Sequence, residues 1–364
     1  MNDVSDPISL GRNILRHIKT TPNLDIGIIT VPINGLKTTL FITQGEAYSY
    51  EIAHVGFNLA LTFHHLVNDI DRLATILHFH GTTKDTFLEN RILKLLSDMI
   101  YGSNKIENAG ADLKHKRPLC LKVFRGDDTF ENDLQKSDKY YTRIQKQRLD
   151  ANLPSCHIDI LRSHREIVQH AKAAVYIINK LCIDGENPTE NIILETYRIV
   201  TYKVGAESAS WSEYSGVYRT DDVSAGFHTF ASPEKIPGKM KDMIHQYDSE
   251  IGDVVKTGII DPSMLAAKYS HIFVNIHPFL DGNARMSRLI LNSILLKLGI
   301  PNISLGKTES ACRLYKEVAS SASQMEDIYN GREEEEKPVA YKELASFILK
   351  CSAYQMGKAL KAAI

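Results

Sequence analysis

Apolar residues recur with helical spacing over most of this chain, and with strand spacing in only one long stretch. Residues 24–43 (LDIGIITVPINGLKTTLFIT) form two β-rich runs around Asn34-Gly35, a dipeptide suited to a two-residue hairpin turn. Residues 49–79, 85–102, 164–182, 188–203 and 339–360 read as helices, and Ile92, Leu95, Leu96, Met99 and Ile100 place an apolar stripe on the second of these. Two further helices stand close together. Met264 to Ile276 (MLAAKYSHIFVNI) gathers Leu265, Tyr269, Ile272, Phe273 and Ile276 on one side. Met286 to Leu298 is amphipathic and is stopped by Gly299 and Pro301. Residues 109–160 break this rhythm: they are polar, basic from Lys114 to Arg117, and expected to form a long surface insertion. The charged run Glu333 to Lys337 reads as a solvated linker before the last helix. The pattern predicts a mostly α fold with a short N-terminal β-hairpin, and no internal repeat is visible.

Composition narrows the class. The 364 residues are 43% hydrophobic and 24% charged, ordinary for a globular chain. A formal net charge of −1 supplies no global field toward nucleic acid or anionic membrane, so neither is an expected partner. The five cysteines (Cys120, Cys156, Cys182, Cys312 and Cys351) are scattered without CxxC spacing, which argues for reduced thiols and against a zinc site. His54, His64, His65, His78 and His80 lack zinc-type partner spacing and are read as core or helix-surface residues. The opening MNDVSDPISLGRN has no apolar signal core, and no run of eighteen apolar residues is present. A cytoplasmic or nuclear location is expected.

The chemistry is concentrated between the two adjoining helices. His277 to Arg288 (HPFLDGNARMSR) puts an imidazole, a carboxylate, a turn-forming glycine and two guanidiniums within twelve residues. A neutral imidazole titrates near about 6.5, so His277 can accept a proton around neutrality. Asp281 is a hard oxygen ligand of the kind Mg²⁺ takes alongside phosphates. Gly282, Asn283 and Ala284 would sit at a helix N-terminus, where unpaired N–H groups and the positive dipole end favour anions. Arg285 and Arg288, three apart, share one helix face and could clamp phosphate oxygens together. Each residue in isolation is more often a plain turn or a solvated face; the joint spacing is what points to a site. Phe279 is expected to anchor the loop in the core. Tyr315 is a candidate nucleobase contact, with ordinary packing at least as strong a reading.

The segment resembles the Fic family motif H-x-F-x-[D/E]-G-N-G-R-x-x-R at every fixed position but one: Ala284 stands where the family has glycine. Two further matches support the resemblance. Residues 97–108 (SDMIYGSNKIEN) place Ser103, Glu107 and Asn108 as in the family's inhibitory pattern [S/T]-x-x-x-E-[G/N]. Tyr214 to Pro237 carries Tyr218-Arg219 and His228-Thr229-Phe230, similar to the family's flap, a β-hairpin that docks a target peptide by strand addition. The resemblance covers roughly 90–325.

It implies a Fic-fold helical bundle with a β-hairpin flap. Its boundaries would be an N-terminal region at 1–90, a Fic domain at 91–330 and a C-terminal helical extension at 331–364. The Fic domain would include an inhibitory helix at 91–108, the insertion at 109–160 and the flap at 214–237. The implied activity is protein adenylylation: AMP passes from ATP to a Ser, Thr or Tyr hydroxyl of a target protein. His277 would be the base, and Asp281 would hold Mg²⁺. Gly282 to Ala284 would form the anion hole, and Arg285 and Arg288 would bind the β- and γ-phosphates. Glu107 would restrain Arg288 at rest. A homodimer is compatible with the family. If Ala284 needed a positive φ it would cost about 1 kcal/mol or more; in helical φ/ψ it would be harmless. Two alternatives follow: a phosphodiesterase that removes AMP with the same residues, and a non-catalytic nucleotide-binding module.

Overall fold

The computed structural model describes residues 9–21, 25–45, 58–79, 85–110, 113–127, 134–205, 210–225, 228–328 and 339–363. The chain begins with α1 (Leu10–Thr20), followed by β1 (Ile28–Ile33) and β2 (Leu36–Ile42). The hairpin turn falls where the sequence predicted it. Asn34 and Gly35 have φ of 48° and 78°, the hand that matches right-twisted strands. Ile29, Val31, Ile33, Leu40 and Ile42 point into the core, and the alternate residues face outward. Five longer helices follow: α2 (Leu59–Phe79), α3 (Asp85–Ile106), α4 (Leu113–Phe124), α5 (Lys139–Asp150) and α6 (His157–Ile178). Next come α7 (Glu190–Thr201), the single turn α8 (Trp211–Tyr214) and the strand pair β3 (Ser224–Ala225) and β4 (His228–Thr229). The chain closes through α9 (Ile236–Thr257), β5 (Ile259–Ile260), α10 (Pro262–Ile276), α11 (Asn283–Lys297), α12 (Glu309–Ile328) and α13 (Lys342–Ala363).

The N-terminal hairpin is tied into the body. β5 pairs parallel with β2, with Phe41 opposite Ile259 and Ile42 opposite Ile260, and it leads directly into α10. Asp261 then caps α10 by accepting from the Ser263 and Met264 amides, and it also accepts from Gly45 N at 2.7 Å. Residues placed in a separate N-terminal region by the sequence pattern therefore help to aim the helix that ends in His277.

At the centre lies α11, buried along nearly its whole length. The sequence spacing predicted an amphipathic helix, but its polar positions are absorbed by local partners. Ser287 meets Ser270 of α10 at 2.8 Å. Asn292 Oδ1 accepts from Ile303 N at 2.8 Å, and Lys297 Nζ donates to Gly185 O and Glu186 O.

The polar stretch at 109–160, expected as a surface insertion, instead contains α4 and α5. α4 buries Leu119, Cys120, Val123 and Phe124 against α3 and α6. Its basic run misled the sequence reading, because Lys116 is itself buried and donates to Ala109 O at 2.9 Å. The charged run at 333–337 and the residues at 128–133 lie outside the described residues, as do His54 and His80. Among the described residues no helix is long and apolar enough to cross a membrane.

Candidate active site

The loop between α10 and α11 is built around Phe279. Its side chain is fully buried and stacks on Tyr197 of α7, ring centroids 3.6 Å apart and planes 5° from parallel. Asn283 closes the same turn: Oδ1 accepts from Phe279 N at 2.9 Å and Nδ2 donates to Phe279 O at 2.7 Å. Asn283, expected to touch nucleotide, thus spends both ends of its amide on the loop backbone. Two residues take left-handed backbone conformations, His277 at φ 50° and Gly282 at φ 82°. His277 caps α10 there, its amide donating to Phe273 O at 3.2 Å. Gly282 is the N-cap of α11, so the first amides of that helix open toward the loop.

Ala284 lies inside α11 and is not among the residues with positive φ. The strain expected for alanine in a left-handed position does not arise here; the glycine that needs the freedom is Gly282.

His277 Nδ1 lies 3.2 Å from Val274 O, which fixes the tautomer with Nδ1 as donor and Nε2 as the basic nitrogen. Phe230, just after β4, stacks on the imidazole with centroids 3.8 Å apart. The flap therefore presses against the proposed base. Arg219, expected on the docking surface, is buried and works inward. Its amide donates to Pro278 O at 3.0 Å, Nε to His277 O at 2.8 Å, Nη1 to Asp221 O at 2.6 Å and Nη2 to Ala231 O. Burial among carbonyls lowers its pKa, yet the side chain joins both ends of the flap to the motif loop. Tyr218 packs on Phe279 and donates to Glu190 at 2.9 Å. His228 and Thr229 contribute backbone to β4, paired with Ala225 and Ser224; their side chains lie outside the described residues.

A cavity of about 130 Å³ opens at the N-terminus of α11, lined by Glu107, His277, Leu280, Asp281, Gly282, Asn283, Ala284 and Arg285. Asp281 accepts from Gly282 N at 2.6 Å and from Arg285 Nη2 at 3.2 Å, and Arg162 Nη2 of α6 stands 3.9 Å away. Arg285 is buried, and its Nε and Nη1 have no protein partner among the described residues. Arg288 is held by α3 and by the residue just past it: Nε donates to Ser103 Oγ at 2.8 Å, and Nη2 donates to Ser103 O at 3.0 Å and Glu107 Oε1 at 2.8 Å. Tyr315 lies 5.7 Å from that guanidinium, which places it behind Arg288 as a cation–π support. Asn108 takes φ 53° and ends the turn after α3, a conformation asparagine tolerates.

Sequence reasoning missed the residues that hold this arrangement from behind. Glu166 of α6 accepts from Gly110 N at 2.8 Å, and His170 Nδ1 meets Asn104 Oδ1 at 2.7 Å. Both fix the end of α3 against α6. His170 is buried, and with Arg285 and Arg288 nearby its pKa is held well below the usual value. No local pattern marks such residues, because their roles arise only from the crossing of α3 and α6.

Residues 187–295 match the family model described as Fic/DOC. The stretch from α7 to α11 is similar to Fic/DOC domains. A Fido domain-containing protein of Dictyostelium discoideum is 41% identical over 86 residues, 24% of this chain and 57% of that protein. Protein adenylyltransferase fic-1 of Caenorhabditis elegans is 33% identical over 147 residues, 40% of this chain and 27% of the nematode protein. The chain thus spans from about a quarter to just over half of these relatives' lengths. In fold it is similar to the crystal structure of a Fic domain containing signaling protein from Bacteroides thetaiotaomicron. That likeness has a TM-score of 0.58 at 19% identity, covering 82% of this chain and 96% of the other. The mostly helical Fic fold expected from the motif is the fold observed.

Proposed function

We propose that this Fic-domain chain is a protein adenylyltransferase that moves AMP from ATP to a Ser, Thr or Tyr hydroxyl of a target protein. One observation carries the reading. His277 and Arg285 line a single cavity at the N-terminus of α11, and Arg285 keeps two buried donors without a protein partner. Buried guanidinium N–H groups are costly to leave unpaired, so a cavity lined by that arginine and by helix-terminal residues suits phosphate oxygens. The relatives named as adenylyltransferases support the same reading.

The target oxygen attacks the α-phosphorus and its proton passes to Nε2 of His277. A new oxygen–phosphorus bond forms while the bond to the α–β bridging oxygen breaks, and pyrophosphate leaves. Ala284 would offer its backbone N–H to the developing charge, while Gly282 N, expected to join it, is donated to Asp281 and Asn283 keeps the turn in shape. Arg285 and Arg288 would neutralise the departing phosphates. Positioning and electrostatics supply most of the catalysis in such transfers. Among the described residues no cluster of three metal-ligating side chains exists. The single carboxylate of Asp281 fits Mg²⁺ that arrives with the nucleotide, since that ion is commonly held by one or two carboxylates plus phosphates. Bound there, Mg²⁺ would neutralise phosphate charge. Tyr218 and Phe230, together with the β3–β4 edge, would receive the target segment by strand pairing.

Glu107 is the resting brake in this reading. Its bond to Arg288 occupies the guanidinium meant for the γ-phosphate and narrows a cavity already smaller than a typical ligand site of about 300 Å³ or more. A second reading, removal of AMP from a modified target, is favoured by Glu107 lining the same cavity as His277, where it could orient a water. The non-catalytic alternative needs Ala284 to disable the anion hole, and its place in ordinary helix gives that alternative no support from backbone strain.

The test is incubation with ATP labelled at either the α- or the γ-phosphate, using wild type and His277→Ala. Protein-bound α-label without γ-label, absent from His277→Ala, is the expected result. Retention of γ-label on protein would overturn AMP as the transferred group.

A further inference from the structure

The corner where α5 meets α6 has chemistry that the proposed reaction does not use. Leu149, Leu153 and Ile158 are 58%, 39% and 74% exposed there. They do not sit on a loose loop. Leu153 N donates to Arg148 O at 2.8 Å, Asn152 takes φ 54° to reverse the chain, and Arg148 Nε donates to Pro154 O. Asp159 Oδ2 accepts from Cys156 N at 2.9 Å and starts α6. α5 is seated by buried Tyr141 and Ile144, with Tyr141 beside His157, ring centroids 5.6 Å apart. The opposite face of α5 presents Lys139, Arg143 and Lys146 to solvent, spaced to form one stripe. An apolar triad on a hydrogen-bonded backbone can contact a partner with little ordering cost.

Charge tells what kind of partner fits. Between residues 134 and 162 there are six Lys or Arg and three Asp, in a chain whose net charge is −1. Two of those carboxylates are committed to backbone amides, Asp138 to Gln135 N and Asp159 to Cys156 N. Those carboxylates keep their charge, and the excess of Lys and Arg over Asp still leaves the corner positive. Position tells what the partner is doing. Ile158 and Arg162 stand one turn apart on α6, and Arg162 reaches to 3.9 Å from Asp281 at the cavity. A macromolecule lying on the corner would have its adjacent surface at the cavity mouth.

We propose that the α5–α6 corner is a second docking surface for the protein target, selecting a face on which carboxylates adjoin apolar side chains. This identification of the partner rests on the transferase reading; the surface itself does not. A hydroxyl acceptor must approach the cavity from outside, and the corner borders that approach. This selects an acidic protein over an anionic lipid face, which would bring no acceptor. Opposite charge raises the encounter rate and orients the partner, and the apolar triad retains it.

The test separates docking from chemistry. The full-length chain is titrated by fluorescence anisotropy with an acidic peptide of Glu and Leu residues around one Tyr, and with its twin bearing Lys for every Glu. The acidic peptide should bind about tenfold tighter, the gap should shrink with salt, and Lys139→Glu/Lys146→Glu should abolish it. Ile158→Ser should weaken the acidic peptide several-fold and leave the fold intact by circular dichroism. In the transfer assay the double variant should raise KM for the acidic peptide at unchanged kcat. Equal binding of the two peptides, or indifference to charge reversal, overturns the surface. Sedimentation with phosphatidylserine vesicles at physiological salt, lost in the double variant, would overturn a protein partner in favour of a membrane. Peptide binding that behaves as expected without any AMP transfer would sink the transferase reading and leave the docking surface standing.

Discussion

The motif loop and the end of α3 meet at one cavity but are held in opposite ways. The loop is over-determined. Phe279 is locked by ring stacking, Asn283 brackets its backbone, and Arg219 pins His277 O and Pro278 O from the flap. Phe279 anchors its shape and the other contacts reinforce it. Glu107 lies just past the last helical residue of α3, and its side chain is 35% exposed while that of Arg288 is 3% exposed. Its hold on the site is one bond at 2.8 Å, on a carboxylate that water can reach. Ser103, by contrast, sits deeper in α3, where Gly102 packs so closely on Gly306 that a Cβ there would stand 3.0 Å from Gly306 N. The contrast suits a division of labour in the proposed reaction, with a rigid frame for the chemistry and Glu107 as a stop that would be displaced without dismantling it.

The largest expected effect separates chemistry from frame. His277→Ala should cut transfer by about 10²–10⁴-fold while leaving stability close to wild type, measured as initial rate and denaturant midpoint on the same preparations. Phe279→Ala should lose both, at a cost of about 3–5 kcal/mol in unfolding free energy, because it empties a stacked aromatic site. Equal stability losses in the two variants would break the distinction.

The frame extends to the far end of α11. Burial lowers the pKa of Lys297 to about 8. Its unfolded value is higher, so between pH 8 and about 10 the unfolded chain binds the extra proton and stability rises with pH. The cost of keeping Lys297 charged is fully present below pH 8. The stability gap between wild type and Lys297→Met should therefore shift by up to about 2–3 kcal/mol in favour of wild type as pH rises through that window. Denaturant titrations at several pH values measure it; a pH-independent gap would contradict the assignment.

Much of this was legible in the sequence, for reasons that individual residues make plain. The Asn34-Gly35 hairpin, α10 and α11 rest on local spacing, and local spacing was enough. The motif named the cavity's lining because those residues are consecutive. The motif points Asn283 at the nucleotide and Arg219 at the docking flap, yet both serve the backbone, since a sequence does not show which way a polar side chain turns. α4 was mistaken for surface because Lys116 and Arg117 looked solvated, whereas Lys116 caps the end of α3 from within. Glu166 and His170 left no trace at all, since their partners are about sixty residues away.

The smallest expected effect concerns Ala284. With helical backbone and a Cβ at the rim of the cavity, Ala284→Gly should change the transfer rate by less than about tenfold. A larger gain would mean that the methyl group crowds the phosphates.

The central claim is that Glu107 is a removable stop on an intact frame. It is tested most directly by the initial rate of AMP incorporation in Glu107→Gly against wild type at equal folded fraction. Freeing Arg288 should raise the rate by about 5–150-fold, with the denaturant midpoint nearly unchanged. Equal rates in the two proteins, or a gain accompanied by a large loss of stability, would contradict the account.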